Sequence, residues 1–331
     1  MKERLLDWLR CPICSSDLSI KDASTASDGE IETGRLVCSE GHAFPIDAGV
    51  PSLLRESELR GGNSAERSAS AEISESFSEE WNEFNPELRT WHETVEDRQA
   101  LFLQEVACTK DELAGKVVFD AGCGNGSHSN GISGLGCDVV AMDVSESVYA
   151  AARHYRKHGT GRTHFLRGDL SSVPLKEHSM DVVYSSGVLH HNPSTLEALK
   201  SIAATIAAPG RIYIWLYHME PGSQFWLQLK LRAFLSVFPM NVRKSFVKVW
   251  CVQSMARQHL RTLLRRNDEK DRLTWQERLI DLYDIYTPAY RWMHTQEEVG
   301  TWYRDLGLEG IETTEVRDWG FGMVGLRPAK K

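Results

Sequence analysis

Long apolar runs are missing from this chain. None approaches the ~20 residues that a membrane-spanning helix needs, and the mixed polar and apolar Met1–Arg10 lacks the apolar core of a secretory leader. No membrane span and a cytoplasmic location are therefore expected. A disulfide framework is missing too. The seven cysteines are odd in number and read as thiols or metal ligands. Nor is there a basic surplus: the formal net charge of −8 argues against a dedicated nucleic-acid binder, whose binding domain is usually basic. What is present is ordinary for a globular protein, 41% hydrophobic and 25% charged over 331 residues, enough for one full domain and an accessory module. The charge is uneven, however. Lys230–Arg272 holds 11 Lys and Arg against Asp268, Glu269 and Asp271, a surplus of +8 that leaves −16 for the remainder. Such segregation marks a solvated helical face or a surface for an anionic partner.

The most informative stretch is Val117-Val118-Phe119-Asp120-Ala121-Gly122-Cys123-Gly124-Asn125-Gly126. An apolar run reads as a buried parallel strand, and three glycines at alternate positions let it turn sharply into a helix near Ser127 while a ligand lies against bare backbone. A second strand, Asp138–Met142, ends in Asp143, where a carboxylate can accept from both hydroxyls of a ribose. A dinucleotide fingerprint would read G-x-G-x-x-G. Here the spacing is G-x-G-x-G, and Asp120 would repel a pyrophosphate but suits a cationic amino group. The segment resembles motif I of the class I S-adenosylmethionine-dependent methyltransferases (type 11 or 25), with Asp143 matching their ribose-binding motif.

The order of the later strands and motifs carries the resemblance further. Thr163–Arg167 reads as a third strand, followed by Gly168-Asp169-Leu170, and the family places an Asp there against the adenine amino group. Met180–Ser186 reads as a fourth strand running into Gly187-Val188-Leu189-His190-His191-Asn192-Pro193, which is similar to the family's post-strand-4 motif. Leu196–Ala207 has helical periodicity, and Pro209-Gly210 leads into a fifth strand, Arg211–Tyr217. The resemblance implies an α/β, Rossmann-like fold: a seven-stranded sheet with helices on both faces. It also implies cofactor contacts at Asp120, Gly122, Cys123, Gly124, Asn125, Asp143, Val144, Gly168, Asp169, Leu170 and Ser186.

Near the N-terminus, Cys11-Pro12-Ile13-Cys14 and Cys38-Ser39-Glu40-Gly41-His42 offer four sulfur and imidazole donors, Cys11, Cys14, Cys38 and His42. Zinc takes such a set tetrahedrally, as a structural site with no open position. So small and polar a unit needs a metal to hold it. Phe44–Leu54 and the C-x3-H pair resemble the zinc knuckles of tRNA methyltransferase activators and of rRNA guanine-N1 methyltransferases. Cys108, Cys123, Cys137 and Cys251 read as small packing residues.

The expected organisation is a small zinc-knuckle β domain (1–56), a linker (57–70), an N-terminal helical cap (71–112) and the methyltransferase core (113–219 and 288–331). A helical insertion after strand five (220–287) completes it. Phe77, Trp81, Phe84 and Trp91 suit a cap helix broken at Pro86, packing on the sheet or closing over the cofactor. Gln224–Phe238 and Val242–Arg265 read as amphipathic helices of the insertion. Thr295 and Glu298 form a capping box opening a helix that runs to about Leu306, ahead of a last antiparallel strand pair.

Methyl transfer from a sulfonium needs the nucleophile held in line with the methyl group, and a base only if that nucleophile is protonated. Strand tips nominate His190, His191, Tyr217 and His218, while His92, Tyr290 and His294 could reach the pocket from cap and insertion. The expected acceptor is a small molecule: the hydroxyl of a sugar, lipid precursor or secondary metabolite. The alternative is an rRNA or tRNA recognised through the knuckle, ranked lower because the knuckle is acidic between Lys21 and Pro51. The amino-methylation motif N-P-P-Y/F is absent, His190-His191-Asn192-Pro193 standing in its place. Oligomeric state and acceptor atom stay open.

Overall fold

A computed structural model describes residues 1–55, 73–74, 77–78, 94–218, 223–265, 273–317 and 319–329. The expected linker, Trp81, Phe84, Pro86, Trp91 and His92 of the cap, and the acidic 268–271 lie outside the described residues.

The N-terminal unit is a four-stranded antiparallel sheet: β1 (Leu18–Thr25), β2 (Ile31–Cys38), β3 (Ala43–Asp47) and β4 (Val50–Pro51), in that spatial order. The Rossmann-like unit comes next. Helix α1 (Val95–Glu105) starts at a capping box in which Thr94 and Asp97 satisfy each other's backbone N–H groups. Then come α2 (Lys110–Leu113), β5 (Val117–Ala121), α3 (Ser127–Ser133), β6 (Asp138–Asp143), α4 (Ser147–His158), β7 (Thr163–Arg167), β8 (Met180–Ser186), α5 (Thr195–Ala203) and β9 (Ile206–Tyr217). The insertion supplies α6 (Ser223–Leu235), α7 (Met240–Arg265) and α8 (Trp275–Tyr286), and α9 (Gln296–Asp305), β10 (Glu309–Arg317) and β11 (Gly320–Arg327) finish the chain.

The seven-stranded sheet has the order β10-β11-β9-β8-β5-β6-β7. β9, β8, β5, β6 and β7 are parallel, and β11 enters antiparallel between β9 and β10. Burial on both faces explains why the central strands read as continuous apolar runs. Side chains alternate between two cores. Val118, Val139, Val182 and Tyr213 face α1, α3 and α4; Phe119, Val140, Val183 and Ile214 face α5 and α9.

The knuckle is built into the second of these cores. Met1, Leu5, Leu9, Leu36, Phe44 and Leu53 belong to the same buried cluster as Phe119, Val140 and Met142. The chain leaving β4 runs along the outer strand: Ser52 bridges Arg167 in parallel, and the Leu53 N–H donates to the Arg167 carbonyl at 2.8 Å. That covers the edge of β7, which would otherwise expose unpaired backbone groups. The knuckle's acids have local partners. Glu30 lies 3.7 Å from the Met1 ammonium and 3.6 Å from Arg156 of α4, and Asp28 and Glu32 also pair with Arg156.

Three details depart from the sequence reading. Pro209-Gly210 lies inside β9, which begins at Ile206, and α5 ends earlier than expected, at Ala203. The insertion has a third helix, α8, opened by a Thr274/Glu277 capping box. At α9 the Thr295 hydroxyl accepts from the Glu298 N–H at 3.2 Å, but the Glu298 carboxylate turns to His294 Nδ1 at 3.0 Å, so only half of the expected box forms.

Candidate functional site

The parallel strands deliver their C-terminal tips to one cavity of about 1190 Å³. At its first end the glycine loop is tied to β6. The N–H groups of Gly122 and Cys123 both donate to the Met142 carbonyl, at 2.8 and 3.0 Å. Gly124 N–H donates to Asp143 Oδ2 at 2.9 Å and Ser145 N–H to Oδ1 at 2.8 Å. Two bonds fix the Asp143 carboxylate and leave acceptor capacity on each oxygen. Gly126 has φ +74°, and a Cβ there would sit 2.6 Å from the Phe165 ring, so a side chain is excluded both by conformation and by space. Asp120 is buried, and Ser129 Oγ donates to it at 2.6 Å. Burial, with Asp143 nearby, pushes its carboxyl up to about 7 against the pull of Ser129. Asp169 is held by the Ser171 N–H at 2.6 Å.

Of the residues implied for the cofactor, Asp120, Gly122, Cys123, Asn125, Asp143, Val144, Gly168, Asp169, Leu170 and Ser186 line this cavity. Gly124 acts behind it, through its bond to Asp143. The Asp120 carboxyl next to a glycine cradle suits a cationic amine once it gives up its proton, and a carboxylate fixed at its neighbouring strand tip suits a diol.

The second end is shared by β8, β9 and the insertion, and it divides the four catalytic candidates. His191 and Tyr217 line the cavity; His190 and His218 do not. His190 is fully buried, neither ring nitrogen has a partner, and burial, with His191 adding to it, drives it well below the usual imidazole range. His218 sits at the base of the insertion, bridging His294 and packing edge-on against Phe321. His294 itself is turned to Thr195 and Glu298. His191 Nδ1 is 2.9 Å from the Tyr290 carbonyl, and Nε2 is 3.0 Å from Asp284 Oδ1, an ion-pair distance off the line of a good hydrogen bond. The Tyr290 carbonyl can accept from Nδ1–H, while Nε2 lies beside the Asp284 carboxylate without a hydrogen bond. The Tyr217 hydroxyl donates to Asp284 Oδ2, and the Arg291 guanidinium lies 4.2 Å from the centre of the Tyr217 ring. Burial would raise Asp284, but His191, His190 and Arg291 outweigh it and hold the carboxyl below its usual range.

Sequence reasoning missed Asp284, Arg291, Glu105 and His128, all of which line the cavity. Glu105 accepts from Tyr184 and Tyr213 at 2.8 and 2.9 Å, and burial pushes it up to about 7. Burial and Arg98 bring His128 down to about 4. The Thr274-x-x-Glu277 capping signature was the one local clue to α8 and thus to Asp284.

In the knuckle, donor atoms of Cys11, Cys14, Cys38 and His42 all lie within 4.8 Å of one another. Cys14 and Cys38 Sγ are 3.6 Å apart, and His42 Nδ1 is 3.3 Å from Cys38 and 3.7 Å from Cys11 Sγ. A tetrahedron with metal–sulfur bonds of ~2.3 Å has edges of about 3.8 Å, so the set fits zinc without rearrangement.

Residues 119–214 match the family model described as a methyltransferase domain, and residues 2–49 match the one described as Trm112p-like protein. A tRNA U34 carboxymethyltransferase of Chromohalobacter salexigens is 37% identical over 116 residues, 34% of this chain and 35% of that protein. That of Psychrobacter cryohalolentis is 31% identical over 125 residues, 34% of each. The chain thus spans about a third of the length of these curated relatives. Among solved structures, magnesium protoporphyrin IX methyltransferase of Synechocystis superposes with a TM-score of 0.47 at 16% identity, over 77% of this chain and 98% of that one.

Two expectations are corrected by these findings: the small-molecule acceptor, and the placing of nucleic acid below it. These two relatives are tRNA enzymes by name, and the N-terminal match is to the Trm112p-like family. The error came from averaging charge. Of the knuckle's acids, which counted against nucleic acid, Asp28, Glu30 and Glu32 face Arg156, and Glu30 also the N-terminal ammonium.

Proposed function

We propose that this chain, which carries a class I S-adenosylmethionine-dependent methyltransferase domain behind a Trm112p-like zinc-knuckle domain, methylates an RNA, with tRNA the substrate class to test first. The observation that carries the reading is the joining of those two matched domains in one chain, two of whose curated relatives are tRNA enzymes by name, while ubiquinone O-methyltransferases and a sterol C-methyltransferase also match. The cavity supports it. At about 1190 Å³ it exceeds the ~300–1,000 Å³ usual for one small ligand, and Phe77, Trp215, Tyr217 and Trp319 line it. Sequence-specific RNA recognition favours splayed-out bases stacked on aromatic rings. The cytoplasm is the compartment we propose.

S-adenosylmethionine supplies an electrophilic methyl group on sulfonium. In this reading Asp143 holds the ribose hydroxyls, Asp120 the amino group and Asp169 the adenine amine. Zinc, on Cys11, Cys14, Cys38 and His42, holds the knuckle and takes no part in the reaction. Tyr217, with Asp284 and His191 behind it, orients the acceptor. These residues position the acceptor and exclude water.

The test is transfer of tritiated methyl from S-adenosylmethionine to unmodified bulk tRNA, read as acid-precipitable, ribonuclease-sensitive counts. Label in RNA that disappears with Asp143→Ala is expected. Protein that binds the cofactor by calorimetry yet labels no RNA would sink the reading.

A further inference from the structure

The insertion presents a face that the catalytic reading does not use. On α7, Val247 and Cys251 are buried against Leu279, Leu282 and Tyr283 of α8. Val242, Ser245, Val249, Val252, Ala256 and Leu260 recur at three- and four-residue spacing about half a turn away. Val242, Val249, Val252 and Leu260 are 43 to 60% exposed. Exposed Lys248 and Arg257 flank that stripe on its two sides. Helix α6 repeats the pattern. Leu235 is buried and Leu227 and Leu231 line the cavity, while Trp226, Lys230 and Phe234 share an outer face, and Val237 lies in the turn beyond it.

Isolated exposed apolar side chains need no explanation, but six large ones on one helix pair, with Val237 in the turn between them, do. The charge around them is of one sign. From Ser223 to Arg265 there are eight Lys and Arg and no Asp or Glu, in a chain whose remainder carries −16. Arg232 donates to the Ile285 and Pro288 carbonyls, and Arg243 to those of Phe238 and Ser236.

We propose that the outer face of α6 and α7 is a peripheral docking surface for an anionic lipid bilayer. An apolar stripe edged by cations lies in the plane of a membrane interface, burying valine, phenylalanine and tryptophan while Lys and Arg reach the phosphates. Among the described residues no helix is long and apolar enough to cross a membrane, so the pair lies on the bilayer. RNA would use the cations but gains nothing from desolvating the valines. The proposal does not depend on the methyl acceptor.

The experiment is flotation of the full, zinc-loaded chain with vesicles of phosphatidylcholine alone or enriched in phosphatidylglycerol. Wild type floats with the anionic vesicles and not with the neutral ones. Phe234→Ser/Val249→Ser/Val252→Ser and Lys230→Glu/Arg257→Glu each reduce partitioning by about tenfold or more. Both variants still bind S-adenosylmethionine, which shows that they fold. No partitioning of wild type overturns the proposal, as does a serine variant that floats like wild type. So does a face whose charge reversal abolishes polyuridine binding while its serine variant leaves flotation unchanged, because that result would make it an RNA surface.

Discussion

The knuckle and the helical insertion are two additions to the same sheet, and they are attached in opposite ways. The knuckle gives up its own core: Leu36, Phe44 and Leu53 pack in one cluster with Val140 and Met142, its chain edges β7, and its acids close on Arg156. The insertion keeps a small core of its own, Leu235, Val247, Cys251, Leu279, Leu282, Tyr283 and Tyr286, and turns other apolar residues outward. It reaches the catalytic sheet through polar contacts, Asp284 to His191 and Tyr217. An addition that shares its core is part of the fold's stability. One that keeps a core of its own and meets the sheet through polar contacts can change without unfolding the enzyme.

Zinc removal tests this hardest. Binding at a four-ligand site is coupled to folding, with apparent values of about 10 kcal/mol or more in isolated zinc modules. Because the knuckle's core is the sheet's core, chelation is expected to lower the melting temperature of the whole chain by on the order of 10 °C or more, in one transition. A Leu36→Ala change, at a fully buried position, should cost about 2–5 kcal/mol in urea unfolding. If calorimetry instead shows a separate low-temperature transition and an unchanged second one, the shared-core side of the comparison fails.

Asp284→Asn probes the other side. It removes one partner of a largely buried ion pair and leaves His191 and Arg291 facing an amide, at a cost of about 3–5 kcal/mol. That loss should be confined to the insertion: hydrogen exchange quickens in α6 to α8, while cofactor affinity stays within about threefold. The pH sign is fixed by direction. Asp284 is held below its ordinary carboxylate range, so its contribution is fully present above the unfolded value of ~3.9 and is lost as pH falls through the lower folded value. Above pH 4 the deficit of the variant should therefore be constant. A deficit that grows between pH 5 and 8 would contradict this assignment.

The cofactor end was legible because its parts are local in sequence. Gly122, Gly124 and Gly126 announce their turn by spacing alone, and Asp143 and Asp169 stand at strand tips that burial makes visible. The second end was not legible, because it is assembled across the insertion: Asp284 meets His191 and Tyr217 only through tertiary packing. His190 and His191 illustrate the limit. Adjacent in sequence and chemically alike, one is sealed in the core and the other reaches the cavity, and nothing in the dipeptide says which. The capping box before α8 was readable and would have placed Asp284 on a helix, though not its direction.

Between the two additions, Asp120 gives a test of intermediate size. Its carboxyl is raised to about 7 by burial. The folded chain therefore holds a proton that the unfolded chain releases near ~3.9, and the resulting stability is present at low pH and lost as pH rises from about 4 to 7. If Asp120 binds the amino group of S-adenosylmethionine, affinity should rise with pH up to about 7 and then level, by up to about tenfold per unit. Asp120→Asn should flatten that profile. Asp284→Asn should not, since it acts at the far end of the cavity. Calorimetry at pH 5.5, 6.5 and 8 distinguishes the two, and a profile flattened equally by both would mean that the two ends are coupled.

The smallest expected effect is the sharpest for the comparison. Val252 lies on the outer stripe of α7, 58% exposed, so Val252→Ser removes no buried contact and leaves no cavity. Its effect on unfolding should stay within about 0.5 kcal/mol. Helix propensity does not add much, because valine and serine rank together. Leu36 is also a single aliphatic residue in an addition to the sheet, and its loss should cost several times more. A Val252→Ser variant that destabilises by about 2 kcal/mol would mean that this face is covered in the free protein, by another copy or by another part of the chain. The insertion would then be packed like the knuckle, and its apolar stripe would belong to the fold rather than to a partner.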